Sequence, residues 1–336
     1  MRIRDGFTLA ETPALLPHLI DAPGLPSRRF FSLDEPGREG SDSLVLAAAG
    51  TRLDVLANLR APLVLAEDGV AGIPDSILVL RVRDARAALA ALLNAVGGRT
   101  EFEMPFEAPF AAGGNNSVHP AAVVEGVLEG DITVEAGVFV GAGVFVGRGS
   151  RLEANAVVKG PCVIGRNSVI QPGAVIGCAG FGFFVGPSTG SGTPGASHMP
   201  HLAGVILGAE CLIGANTVVA AGVLHPTELG AGCKLDSHVQ IAHNVRLGAR
   251  AMLASQSGVA GSTVIGDDFR MGGAASVAGH LRLGDKVSVA AKSGVTKDVA
   301  DGMTVAGFPA RDIREWRRDV ASTRARIDDA WTDRHG

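Results

Sequence analysis

The chain has no tyrosine and only two tryptophans, and aromatic residues make up 4% of its 336 residues. A core must therefore be built from aliphatic side chains. Neither sign of charge is in large excess, with 30 basic against 34 acidic residues, which excludes the electrostatic footprint of a non-specific nucleic-acid binder. Mean hydropathy is +0.27, yet no window approaches about 18 uninterrupted apolar residues, so no membrane span is expected. The opening Met1-Arg-Ile-Arg-Asp-Gly-Phe7 lacks the apolar stretch of a secretory signal. Cys162, Cys178, Cys211 and Cys233 form no CxxC pair, which excludes a zinc ribbon. They read as small apolar residues in a reducing cytoplasm.

What the chain does have is glycine, 46 residues of it, and a repeat. Aliphatic residues recur every six positions from Val134 through Val140, Val146, Leu152, Val158, Ile164 and Ile170 to Ile176. They recur again from Leu229 to Val295, with a short piece at Leu207, Ile213 and Val219 between. Four residues after many of them sits a small or β-branched residue, such as Val138, Val144, Ala156, Cys162, Ser168, Ala174, Val245 or Ala251. Glycine often follows the aliphatic residue, as at Gly165, Gly266 and Gly284, and is expected to permit the corner. Two inward positions and a turn per six residues define a hexapeptide parallel β-helix; an amphipathic helix would show a period near 3.6. Three hexads make one triangular coil of about 18 residues, so residues that far apart stack at one corner.

The period is missing from residues 1–112, which read as a small α/β domain. Strand-like runs lie at Ser43–Ala47, Pro62–Ala66 and Ile77–Val82, followed by a helix from Asp84 to Val96 that Gly97-Gly98 closes. Glu101 to Asn116 reads as a linker. The solenoid is placed at 117–306, with an insertion at 178–203 that holds Gly180-Phe-Gly-Phe-Phe184 and His198-Met-Pro-His201. Excursions from regular scaffolds tend to be functional. Residues 307–336 read as a charged helical segment carrying Arg311, Arg314, Arg317, Arg318, Arg324 and Arg326. This is either a solvated helix face or a docking surface for an acidic carrier. The two flanking pieces can cover the ends of the solenoid.

Of the nine histidines, His243 and His280 fall outside the inward slots, and they are 37 residues apart. Two coils plus one residue place them at one corner, roughly 10 Å apart along the axis. Gly261 is one coil from His243 and stacks directly on it. A base beside a bare N–H is the minimum for acyl transfer: one activates a nucleophile, the other stabilises an oxyanion. A zinc site of His238, His243 and His280 is the competing reading. His238 and His243 are separated by roughly 16 Å of extended chain, so only a trimer interface could join them.

The segment Leu235-Asp-Ser-His-Val-Gln-Ile-Ala-His-Asn-Val245 resembles the UDP-3-O-acylglucosamine N-acyltransferases, the LpxD family of lipid A biosynthesis. So do Val259-Ala-Gly-Ser262, Val277-Ala-Gly-His-Leu281, Ser293-Gly-Val-Thr-Lys297, Gly180-Phe-Gly-Phe183 and Ile213-Gly-Ala-Asn-Thr217. The resemblance runs over roughly residues 118–320. It implies a mainly β fold: a left-handed parallel β-helix, assembled as a homotrimer with active sites between subunits, with a small N-terminal α/β domain and a C-terminal helix. It implies a cytoplasmic transferase that moves a 3-hydroxyacyl chain from acyl carrier protein to a glucosamine amine, with no metal or bound cofactor. His243 would take the amine proton, Gly261 would hold the oxyanion, His280 would position substrate or balance charge, and Asp236 would orient His243. Gln240 and Asn244 would line the donor's phosphopantetheine arm. Phe181, Phe183 and Asn216 would face the acceptor.

On the acceptor side the chain departs from the family. The two aromatics that grip uridine are replaced near Val45 and Thr51, and an asparagine by Ala48. Val and Thr cannot replace a stacking pair. The acid before the GFGF segment is Ala179, an Asp-Arg-Gly is replaced near Ala220-Ala-Gly222, and an asparagine is Ser237. Either uridine binding has been rebuilt or the acceptor is another amine, such as a different nucleotide amino sugar.

Overall fold

In the computed structural model the repeat closes into a parallel β-helix with three faces. The structure describes residues 1–12, 15, 18–20, 28–37, 39–49, 51, 53–101, 114–187, 194–307, 312–315 and 317–323. The first face runs from Ser117–Val118 to Thr304–Val305, the second from Val123–Val124 to Gly294–Val295, and the third from Val127–Leu128 to Arg282–Leu283. Val134 pairs with Leu152 and Leu152 with Ile170; Leu247 pairs with Ile265 and Ile265 with Leu283. Each inward aliphatic is thus stacked on its equivalent one coil away. Leu152, Val158, Ile164 and Ile170 are fully buried, as are the second inward residues Ala156, Cys162, Ser168 and Ala174. Each large aliphatic so removed from water contributes about 1.5–3 kcal/mol.

The corners are turned differently from the expectation. The left-handed backbone at the corners falls three residues after the inward aliphatic, on Gly137, Gly143, Gly149, Gly173 and Gly232 but also on non-glycine residues, among them Asn216, His238, Asn244, Gln256, Ser262 and His280, these six with φ between 55° and 62°. Short polar side chains can visit this region without glycine. The glycines after the aliphatic residues serve close approach instead. A Cβ on Gly248 would lie 2.5 Å from the Gly266 carbonyl and 2.6 Å from the Asp267 nitrogen, so the next coil would have to move. Gly248→Ala is expected to cost about 1–3 kcal/mol by overpacking, read as a lowered denaturation midpoint at unchanged m.

Two excursions break the register, both at the corner from the second face to the third. The first leaves after Val175–Cys178 and returns at Val205–Leu207, so that Cys162 pairs with Val205. It carries a hairpin of Phe183–Pro187 with Pro194–His198. The second leaves after Val218–Ala220 and returns at Thr227–Leu229, which pairs on Val205–Leu207.

The N-terminal unit is a six-stranded sheet: β1 Arg2–Phe7, β2 Phe30–Asp34, β3 Ser43–Ala47, β4 Leu63–Glu67, β5 Leu78–Val82 and β6 Thr100–Glu101. The order is β5-β4-β3-β2-β1-β6, parallel from β2 to β5. β1 and β2 lie in segments where the sequence reading placed no strand. The helix Ala85–Val96 buries Ala88, Leu92 and Leu93, and the Asp84 carboxylate caps it by accepting from the Arg86 and Ala87 N–H groups (2.8 and 3.0 Å). The core of this unit extends onto Met199 and Leu224 of the two excursions, with Phe184, Leu202 and Val223 packed beside them. The domain therefore sits over the corner that both excursions leave. Beyond the solenoid, residues 313–315 and 317–323 are helical; Arg311, Arg324 and Arg326 lie outside the described residues, as do residues 102–113 of the linker reading. Among the described residues, no helix is long and apolar enough to cross a membrane.

Candidate active site

His243 stands at the excursion corner, between the strands Gln240–Ile241 and Arg246–Leu247. One coil on, Gly261 occupies the equivalent place between Gly258–Val259 and Val264–Ile265, and one coil further Gly279 and His280 do so between Ser276–Val277 and Arg282–Leu283. The spacing arithmetic thus brings His243, Gly261 and His280 to one edge of the solenoid. A Cβ on Gly261 would lie 2.7 Å from His243 Cε1 and 2.8 Å from Nε2, so only glycine lets the imidazole rest there. Among the described residues no acceptor takes the Gly261 N–H, whereas Ala260 donates to Val277 and Ser262 to His243 (3.0 Å each). The Gly261 carbonyl accepts from His280 N–H at 3.0 Å, and the His280 ring is exposed.

The tautomer of His243 follows from Asn244. The Asn244 Nδ2 donates to the His225 carbonyl (2.9 Å), and its Oδ1 accepts from Val223 N–H (3.2 Å). That fixes which way the amide points. The same Oδ1 lies 3.0 Å from His243 Nδ1, so Nδ1 carries the proton and donates. Nε2, on the Gly261 side, is left with its lone pair. Val223 and His225 belong to the short excursion, so that four-residue detour exists where the histidine is held. The side chain of Asn244 is therefore turned into this loop to orient His243, rather than along a donor arm.

The long excursion covers the other side of the ring. A Cβ on Gly180 would lie 2.9 Å from both His243 Cβ and His201 Nε2, and one on Gly182 would lie 3.0 Å from His201 Cε1. The two glycines of the GFGF segment let the hairpin lie against the histidines. A file of rings leads inward from exposed Phe181 to Phe183, His198, His201 and His243, with successive centroids 5.0–5.3 Å apart. His201 Nδ1 donates to the Met199 carbonyl at 2.7 Å, which leaves Nε2 as an acceptor, buried and without a partner among the described residues. Burial, aided by His243 and His198 and opposed by the Met199 bond, pushes the His201 pKa down to about 4. The sequence reading noted His201 in the insertion but gave it no part; its contact with His243 spans forty-two residues and depends on how the excursion folds back.

The folded chain refuses a proton on His201 that the unfolded chain accepts near 6.5. Stability is therefore expected to fall as pH drops from about 6.5 toward 4. A melting-temperature series should show a steeper acid decline for the wild type than for His201→Gln, and parallel curves would contradict the burial of a neutral ring.

Three expected site residues are not at this edge. Asp236 lies at the preceding corner, where its carboxylate accepts from Ser237 N–H (2.7 Å) and Ser255 N–H (3.1 Å). Within the chain, Asn244 rather than Asp236 orients His243, because a whole face of the triangle separates Asp236 from the ring. Asn216 is a left-handed residue at that same other corner, as is His238. Gln240 is exposed on the second face beside His243, in a row continued by Gly258, Ser276 and Gly294. Val45 is fully buried in the domain core and presents nothing to a ligand.

Parts of the chain are similar to known proteins. Residues 143–178 match the bacterial transferase hexapeptide (six repeats) family, and residues 204–237 match the hexapeptide repeat of succinyl-transferase. The UDP-3-O-acylglucosamine N-acyltransferase of Caulobacter vibrioides is 46% identical over 171 residues, 51% of this chain and 48% of the relative. That of Rhizobium meliloti is 46% identical over 159 residues, 47% of this chain and 44% of the relative. Over these stretches the chain is homologous to the UDP-3-O-acylglucosamine N-acyltransferases. The resemblance read from the sequence therefore holds, and the chain spans about half the length of the curated relatives it matches. Among solved structures, the UDP-N-acetylglucosamine acyltransferase of Campylobacter jejuni aligns over 56% of this chain and 70% of its own, at 20% identity and a TM-score of 0.48. That of Francisella novicida aligns over 57% and 65%, at 20% identity and a TM-score of 0.46.

Proposed function

We propose that the protein is an N-acyltransferase that moves a 3-hydroxyacyl chain from acyl carrier protein to the amine of a UDP-3-O-acylglucosamine-like acceptor. The observation that carries this reading is the His243 imidazole, held by Asn244 with its Nε2 lone pair against the open Gly261 N–H. The amine nitrogen attacks the thioester carbonyl, and His243 Nε2 takes the amine proton. The carbonyl oxygen becomes an oxyanion that the Gly261 N–H receives. As the intermediate collapses, the carbon–sulfur bond breaks, the thiolate takes the proton back from His243, and an amide and a free carrier thiol result. His280 borders the same edge and balances charge or positions substrate. The row of Gln240, Gly258, Ser276 and Gly294 supplies a lane for the phosphopantetheine arm; around Gly294 a Cβ would meet nothing within 4 Å.

No step needs a metal or a bound cofactor. The reading includes a cytoplasmic homotrimer. A neighbouring subunit that sets its first–second corner against this second face would bring its own Asp236 and Asn216 equivalents toward His243. A second reading, the same chemistry on another nucleotide amino sugar, is favoured by the burial of Val45 where the resembling family has a uridine-stacking ring.

Intact-mass detection of transfer tests the proposal. Protein, 3-hydroxyacyl carrier protein and UDP-3-O-acylglucosamine should yield acylated product and an equal amount of free carrier. Transfer confined to a different amino sugar would select the second reading. A carrier that stays acylated with every amine would overturn both.

A further inference from the structure

The crest of the short excursion, Val223-Leu224-His225, is gripped from two sides, by the Asn244 amide and by the N-terminal domain. We propose that the docked domain orients the base of the site through this crest, with Leu224, His225 and Asp34 as positioning residues for His243; the part of that ring in transfer rests on the acyl-transfer reading above.

The solenoid side of the grip is polar. Asn244 Oδ1 accepts from Val223 N–H (3.2 Å) and Nδ2 donates to the His225 carbonyl (2.9 Å), so the two groups that hold the amide flank Leu224 in the chain. The Asn244 backbone N–H is pinned separately, by the fully buried Thr227 through its Oγ1 at 2.9 Å. A shift of the crest would therefore free the side chain and leave the backbone of the corner in place. The terminal torsion of asparagine is soft, so a freed amide can turn and present Nδ2 to the ring. His243 would then accept at Nδ1 and carry its proton on Nε2. That tautomer has no lone pair to offer on the Gly261 side.

The domain side of the grip is apolar and electrostatic. Leu224 is 2% exposed and belongs to one buried cluster with Ile3, Leu33 and Leu44 of the sheet. Next to it in the chain, His225 Nε2 lies 3.9 Å from Asp34 Oδ1, with side-chain exposures of 17% and 7%. Asp34 ends β2 and is fixed within its own unit: Oδ2 accepts from Ser43 Oγ (2.6 Å) and Oδ1 from the Met1 nitrogen (3.1 Å). A carboxylate held this way, largely out of water, attracts a proton-bearing Nε2. A groove of about 430 Å³ runs past the crest, and Glu35, Pro36 and Gly37 of the domain line it together with His225 and Asn244. The wall that the domain contributes thus meets the orienting groups directly. Undocking would expose Leu224 and release the amide together, so docking and the reactive tautomer are coupled, each favouring the other.

Imidazole nitrogen NMR of the isotope-labelled full chain, in mildly alkaline buffer without substrates, reads the tautomer, and His243→Gln assigns the signal. The wild type should hold the proton on Nδ1. Leu224→Ala and His225→Ala should each raise the Nε2–H share and lower kcat about 2–30-fold, the span of couplings carried through packed networks, with donor KM unchanged. Asp34→Asn should move both in the same direction by less. Leu56→Ala is the control for a merely structural effect: it lies in the domain's other core layer, whose buried residues include none from the excursions. It should lower the melting temperature and leave the tautomer unmoved. If Leu224→Ala does not fold, His225→Ala, which keeps the backbone carbonyl, decides alone. Folded alanine variants with the wild-type tautomer overturn the proposal, and so does a Leu56→Ala shift as large as theirs; neither result touches the acyl-transfer reading. A tautomer shift in a chain that acylates no amine would sustain the coupling and sink the other reading.

Discussion

His243→Ala is expected to lower acyl transfer by about 10²–10⁴-fold, the usual worth of a positioned general base. The loss should fall on kcat, because the ring is placed to move a proton and other groups lie along the proposed substrate lanes. The variant should stay folded: the half-buried ring packs against glycines and His201 at a corner, outside the aliphatic core. A variant that keeps more than a tenth of the wild-type kcat would remove His243 from the proposed mechanism. A His201→Gln control should show the low-pH stability change described above.

Gly261→Ala is expected to cost about 10²–10³-fold, the range seen when one oxyanion donor is lost. The reason here is occupancy. A methyl group would stand 2.7–2.8 Å from Cε1 and Nε2 of His243, in the space where the reacting carbonyl must sit between the base and the Gly261 N–H. The imidazole would have to turn away, against its bond to Asn244. Gly261 is not among the positive-φ glycines, so alanine fits its backbone and stability should change little. Mass-detected transfer with matched melting curves separates the two effects. Near-wild-type transfer would show that the carbonyl is held elsewhere.

The solenoid could be read directly because its contacts are periodic. Each aliphatic residue from Val134 to Ile176 packs on its equivalent one coil away, so composition at a fixed spacing already states the neighbour. The same arithmetic placed His243, Gly261 and His280 on one edge without knowledge of any contact between them. It also misassigned the glycines. Gly165, Gly248 and Gly266 mark close coil-to-coil approach, whereas the left-handed corner position two residues further on holds other glycines, such as Gly149 and Gly232, or Asn, His and Ser residues, and one-dimensional spacing does not distinguish these needs.

Spacing fails wherever the chain leaves the coil. Asp236 and Asn216 were grouped with His243 through the resemblance, yet within one chain they stand at another corner, because seven or more residues carry the chain around a face. His201 reaches His243 only because the hairpin of Phe183–Pro187 and Pro194–His198 folds back, and the glycines that permit it are informative only after the contact is known. Asn244 gained its orienting part from Val223 and His225, partners supplied by a detour too short to carry a motif. The groove beside Asn244 likewise needs the N-terminal domain docked over both excursions, because Glu35, Pro36 and Gly37 form its far wall. The sequence by itself determined the parallel β-helix and the edge where His243 and Gly261 meet, since both follow from a local period repeated at constant rise. The tautomer of the base, the covering hairpin and the groove beneath the N-terminal domain were decided by the tertiary structure, because each depends on non-repeating segments whose partners are set by packing rather than by spacing.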